Sequence, residues 1–141
     1  MIKVTVWNEY LEELQYEHVA KVYPNGIHEC IREFLEKDPE IQVRCVTLRM
    51  EDQGLSDEIL NDTDVLIWWG HQAHDEVTEE NVQRVKQHVL DGMGLIALHS
   101  AHYSSPMKEL LGTSMCVRWK HGEIEKLVCV APSHPIAEGI T

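Results

Sequence analysis

Asp64-Val65-Leu66-Ile67-Trp68-Trp69-Gly70-His71-Gln72-Ala73-His74-Asp75-Glu76-Val77 joins an unbroken apolar run to a cluster of polar, metal-capable side chains. Residues 65–69 are rich in β-formers and too few to span a membrane, so they read as a strand buried on both faces. The strand breaks at Gly70, which places His71, His74 and Asp75 at its carboxyl end. In open parallel α/β sheets ligands bind at that edge, because the loops leaving the strands diverge there into a crevice. Gly94-Leu95-Ile96-Ala97-Leu98 repeats the plan as a second buried strand, running into His99-Ser100-Ala101-His102.

The rest of the chain alternates strand and helix around these two strands. Residues 2–6 form a first strand with Asn8 and Glu9 just past its end, and residues 41–48 alternate apolar and polar side chains as a strand nearer the sheet edge. Between them, Leu14, His18 and Val22 stand at helical spacing, and Tyr23-Pro24-Asn25-Gly26 stops that run. Ile27, Cys30, Ile31, Phe34 and Leu35 then make the apolar stripe of a surface helix. Ser56 caps a short helix bearing Ile59 and Leu60, and Thr78 caps a longer one with Val82, Val85 and Val89 inside and Asp91-Gly92 as its stop. Pro106 opens a helix that Gly112 ends. Residues 115–119 and 126–130, separated by His121-Gly122, predict a β-hairpin added to the parallel sheet. Strands alternating with single helices imply right-handed crossovers, hence a three-layer, flavodoxin-like α/β domain spanning residues 1–141.

With strand order 2-1-3-4, the ends of the first, third and fourth strands meet in one crevice. Asn8, Glu9, His71, His74, Asp75, His99, Ser100 and His102 converge there, and the cluster carries more weight than any member. His18, His28, His88 and His121 lack such placement and read as helix-face or hairpin residues, and Trp68 and Trp69 as sheet core.

Two chemistries suit the cluster. The imidazoles of His71, His74, His99 and His102, helped by the Asp75 and Glu9 carboxylates, offer donors for zinc or another divalent ion that would activate a water, although His-x-x-His is a loose spacing. Alternatively, Ser100 leaves a buried strand at a strand-to-helix turn, the position of a nucleophile served by a neighbouring histidine and by helix N-terminal amides. The small residues that usually permit such an elbow are missing, since His99 and Ala101 flank Ser100 with Leu98 and His102 outside them.

Composition bounds the partners. The 141 residues and 43% hydrophobic content suffice for one core, while a net charge of -12 argues against nucleic acid and anionic membrane surfaces. The amino terminus has no signal-peptide pattern and no apolar run is long enough to span a bilayer, so the sequence reads as cytoplasmic. Cys30, Cys45, Cys116 and Cys129 show no CxxC spacing and read as reduced, mostly packed thiols.

Trp7-Asn8-Glu9-Tyr10, Trp68-Trp69-Gly70-His71 with His74-Asp75-Glu76-Val77, Gly92-Met93-Gly94-Leu95-Ile96, Leu98-His99-Ser100-Ala101-His102, Leu111-Gly112-Thr113-Ser114 and His134-Pro135-Ile136 together resemble the trehalose utilisation (ThuA-like) proteins. The likeness runs from end to end. It implies a fold similar to class I glutamine amidotransferases and a role in catabolism of disaccharides or glycosides, acting on 3-keto sugars made by a partner dehydrogenase. The family's motif histidines fall on His71, His74, His99, His102 and His134. Three departures stand out. Ser100 occupies the place of the amidotransferase cysteine, so glutamine hydrolysis is not expected. Leu11-Glu12-Glu13 and Ala101 replace the Arg-His-Glu and glycine common in such proteins. Family members also continue beyond His-Pro-Ile, so the expectation is a domain truncated at its carboxyl end, with apolar surface around residues 127–130 and 136–140 either exposed or buried against a second copy in a homo-oligomer, the alternative being a chain cut from a longer protein whose remainder covers that surface.

The sequence therefore predicts an enzyme of carbohydrate catabolism taking a small-molecule sugar. Its catalytic groups would be His71, His74, His99, Ser100 and His102, its substrate-binding groups Asn8, Glu9, Asp75 and His134, and His71, His74, His99 and His102 would hold any divalent metal. The alternative is a sugar-binding or interaction module that keeps the fold without the chemistry.

Overall fold

Four parallel strands lie in the order β2-β1-β3-β4 in the computed structural model, which describes residues 1–117, 120–122, 124 and 126–139. They are β1 (Ile2–Asn8), β2 (Ile41–Thr47), β3 (Val65–Trp69) and β4 (Gly94–Ala97). Helices α1 (Glu12–Gln15), α2 (Glu17–Val22) and α3 (Ile27–Leu35) connect β1 to β2. The helix α4 (Asp57–Asn61) precedes β3, α5 (Glu79–Leu90) joins β3 to β4, and α6 (Ser105–Leu111) follows β4. The predicted strand order is the observed one.

Register explains how the site is assembled. Asn8 pairs with both Thr47 and Trp69, so β1, β2 and β3 end level with one another, and β4 reaches Ala97 opposite Trp68. The sheet buries its two faces differently. On one side Trp7 and Trp68 stack with ring centroids 3.9 Å apart, amid Val46, Leu55, Leu60, Leu66, Val82 and Val85. Stacked aromatic pairs contribute roughly 0.5–1.5 kcal/mol beyond their area burial, so this pair fixes how the two central strands pack. On the other side Val4, Val6 and Ile67 meet Ile31 and Leu35 of α3.

The caps behave as sequence chemistry predicts. Ser56 and Thr78 accept from the backbone N–H groups of Ile59 and Asn81, and Gly112 ends α6 in the left-handed conformation. Four expectations need correction. No strand forms among the described residues of 115–119 and 126–130, while Arg118 and Trp119, which belong to the expected hairpin, lie outside the described residues. A lone hairpin with no third strand or covering helix is marginal in water. Next, β4 is an edge strand rather than a buried one, with Ile96 48% exposed. The acidic 12–22 stretch breaks into two helices at Tyr16, and Leu14 and Val22 face solvent while Glu13 is buried. Finally, of the four free cysteines only Cys45 is partly packed, and burial pushes its thiol up to about 12.

Candidate functional site

The loop between β3 and α5 is held from three other strand ends. Glu9, one residue past β1, is fully buried, and its carboxylate accepts from the backbone N–H of Gln72 at 2.9 Å and of Ala73 at 2.9 Å. A buried carboxylate without such donors would be costly, so the fold commits this group to the loop. Ala73 and Val77 press into the core below. The Ser105 hydroxyl, from the segment after β4, donates to the His74 carbonyl at 3.1 Å. Beyond β2, the Gln53 side chain donates to the Glu76 carbonyl at 2.8 Å and accepts from the Thr78 N–H at 2.9 Å.

Above this loop lies a cleft of about 410 Å³ lined by His71, Gln72, His74, Asp75, Ser100, His102, Tyr103, Cys116 and Val117. The ring-nitrogen partners fix two tautomers. His71 Nδ1 meets Glu12 Oε1 at 2.9 Å, and His102 Nδ1 meets the His99 carbonyl at 2.9 Å. Carboxylate and carbonyl oxygens only accept, so each Nδ1 carries the hydrogen and each neutral ring keeps its Nε2 lone pair. His74 is held below the usual imidazole range, chiefly because burial disfavours its charged form. The nearby Glu9 carboxylate opposes that shift and Lys108 adds to it. The Tyr103 ring presents its edge or face to His74 at 5.6 Å and carries the Lys108 ammonium over it at 3.4 Å.

The structure thus gathers His71, His74, Asp75, Ser100 and His102, and leaves other expected site residues outside the lining. Asn8 and Glu9 are buried and engaged in internal hydrogen bonds, Asn8 with the Glu13 and His28 side chains and the Tyr10 N–H, and Glu9 with the Gln72 and Ala73 N–H groups. His134 is exposed and caps the short turn Pro135–Ala137 by accepting from Ile136 N–H at 3.2 Å. His99 stacks on Trp69 with centroids 6.5 Å apart and places Nδ1 2.9 Å from the Ser100 hydroxyl. The strained backbone of the strand-to-helix turn also belongs to His99, with φ +43°, and not to Ser100. Among the described residues no three His, Cys, Asp or Glu side chains form a group that could hold a metal ion. The rings of His71 and His102 each give Nδ1 to an oxygen and keep Nε2 free.

Sequence reading missed Glu12, Gln72, Tyr103 and Cys116. Glu12 sits on an exposed-looking acidic stretch, and only the level ends of β1 and β3 bring it to His71. A further cavity of about 340 Å³ flanks β1 and β2, lined in part by Lys3, Arg32, Arg44, Glu29 and Asp62. Its cations are already paired, Lys3 and Arg44 with Asp62 and Arg32 with Glu29, so it is an ion-pair seam remote from the imidazoles.

The sequence model of a family described as trehalose utilisation, ThuA, matches residues 3–141, essentially the whole chain. No curated protein matches the chain.

Proposed function

The chain belongs to the trehalose utilisation (ThuA) family, and we propose that its cleft carries out acid–base chemistry on a keto-sugar derived from a disaccharide or glycoside. The observation that carries this reading is the His71–Glu12 pair at 2.9 Å beside the neutral-biased His74. Glu12 holds His71 in the tautomer whose Nε2 can accept a proton and stabilises the imidazolium that results. In the reaction we envisage, His71 Nε2 takes a proton from the carbon next to the ketone, the C–H bonding pair becomes the C=C bond of an enolate, and the carbonyl π pair moves onto the ketone oxygen. The N–H of neutral His74 is a hydrogen-bond donor for that oxygen as charge develops. Gln72, Asp75 and His102 supply the polar contacts that a sugar's hydroxyls require, and Tyr103 an apolar ring for its C–H face. Ser100 needs no nucleophilic role in this scheme.

The test is hydrogen exchange on substrate. The 3-keto derivative of trehalose is incubated with protein in D₂O and followed by proton NMR against a buffer blank. We expect loss of the signal next to the ketone, or release of a free sugar, above the blank. His71→Ala should slow it by roughly 10²-fold or more, the usual contribution of a positioned base. Binding without exchange or cleavage would refute the catalytic reading and favour a sugar-binding module.

A further inference from the structure

After β2 the chain makes a turn, Glu51–Gly54, in which three successive residues are left-handed, Asp52 at φ +47°, Gln53 at +57° and Gly54 at +69°. L-residues rarely adopt this conformation, so something outside the turn must hold it. Space enforces part of it: a Cβ on Gly54 would lie 2.6 Å from Val46 Cβ, which leaves glycine as the residue that fits against β2. Hydrogen bonds enforce the rest. The Gln53 carbonyl accepts from Trp7 Nε1 at 2.8 Å, and the Asp52 carbonyl accepts from the buried Asn81 side chain at 2.9 Å. The turn thereby aims the Gln53 carboxamide at the site loop. Its NH₂ donates to the Glu76 carbonyl at 2.8 Å, and its oxygen accepts from Thr78 N–H and from Asn81 Nδ2, both at 2.9 Å.

These bonds lie immediately after the turn His74–Glu76, which carries two of the cleft's polar groups. Glu9 holds the near end of the same loop at Gln72 and Ala73. We propose that Gln53 is a positioning residue for the cleft, fixing the far end of the loop that presents His71, His74 and Asp75. The inference rests on the reading of that cleft as the reactive site. Gln53 itself touches none of the reacting groups. It acts through the backbone at Glu76 and Thr78, and a displacement of about 1 Å in groups of this kind can cost on the order of 10²-fold in rate.

Two variants test it by amide hydrogen exchange, a readout independent of substrate, and by turnover of the 3-keto disaccharide. Gln53→Leu removes donor and acceptor together. Exchange at Thr78 and across residues 74–76 should rise at least tenfold, while Val6 and Ile67 in β1 and β3 exchange as in the wild type. Gln53→Glu keeps the acceptor and loses the donor, so Thr78 should stay protected while residues 74–76 loosen; this variant decides the matter if the leucine variant fails to fold. In the variant with a loosened turn, kcat should fall about tenfold or more with a smaller change in KM. Unchanged exchange in 74–78 would overturn the clamp, and a loosened turn with unchanged kcat would reduce Gln53 to a structural residue. If the wild type shows no turnover, the functional reading of the cleft fails together with the positioning role that rests on it, while the exchange data still decide whether the clamp exists.

Discussion

Asn8 has two amide hydrogens and gives them to two buried acceptors, Glu13 Oε1 and His28 Nδ1, each at 2.8 Å. Its orientation follows from its own oxygen, which accepts from the Tyr10 N–H at 2.9 Å. His28 Nδ1 must therefore be unprotonated, and burial holds this imidazole below its usual range against the pull of Glu29 and Glu13. A depressed imidazole has a definite consequence for stability. Between its folded value and the ordinary value near 6.5, the unfolded chain binds more protons than the folded one, so stability falls as pH drops through that window. His74 acts in the same direction. We expect the urea midpoint to decline between pH 7.5 and 5.5, and the His28→Phe variant to show a shallower decline. The same variant strands an Asn8 hydrogen, so at pH 7.5 it should be less stable than the wild type by about 1–3 kcal/mol. An equally steep pH dependence in the variant would remove His28 from the account. Nothing in the apolar stripe announced this residue. The periodicity of Ile27, Cys30, Ile31, Phe34 and Leu35 points to a face centred one position away from the real one, which buries His28 and leaves Phe34 67% exposed. A histidine whose ring-nitrogen partner, Asn8, lies 20 residues back in the chain leaves little local signal.

At the scale of elements, the loop from Gly70 to Thr78 behaves as a tied segment of backbone. Glu9 is the tie whose removal is easiest to predict. Glu9→Gln keeps size and shape but turns an NH₂ toward the Gln72 and Ala73 N–H groups, setting donor against donor where a carboxylate accepted from both. The expected loss is about 1–3 kcal/mol in urea unfolding, with faster exchange of the Gln72 and Ala73 amides. A variant as stable as the wild type, with those amides still protected, would mean that the carboxylate is not what holds them. The elements themselves were largely legible. The apolar run gives β3 to the residue, the Ser56 and Thr78 caps locate α4 and α5, and Gly112 marks the end of α6. The ties were not legible, because a carboxylate such as Glu9 looks in sequence like any acid near a ligand edge. Its depth below the loop appears only once the register places Asn8 beside Trp69.

Across the whole molecule, the two sheet edges are managed unequally. Along β2, the outward Arg44 joins Lys3 on Asp62, and charged groups of this kind discourage a further strand from pairing. The β4 edge has only four residues and no such guard among the described residues, with Ile96 half exposed. Past α6 the chain carries Leu127, Val130 and Ile136 at 93%, 91% and 82% exposure, an apolar content that water does not favour leaving uncovered. A net charge of -12 opposes close approach of two copies at low salt, so association should strengthen as ionic strength rises. We therefore propose that the protein self-associates through this apolar segment, and expect sedimentation velocity at low micromolar concentration in 0.15 M salt to give a species heavier than the 16.3 kDa chain. Replacing Leu127→Lys and Val130→Lys together should return it to monomer without changing the exchange of β1 and β3 amides, since neither residue packs on the core. A wild-type monomer at both low and high salt, with no uptake of an apolar dye, would mean that the segment is tolerated in water, and the β4 edge would then have to be protected by its shortness alone.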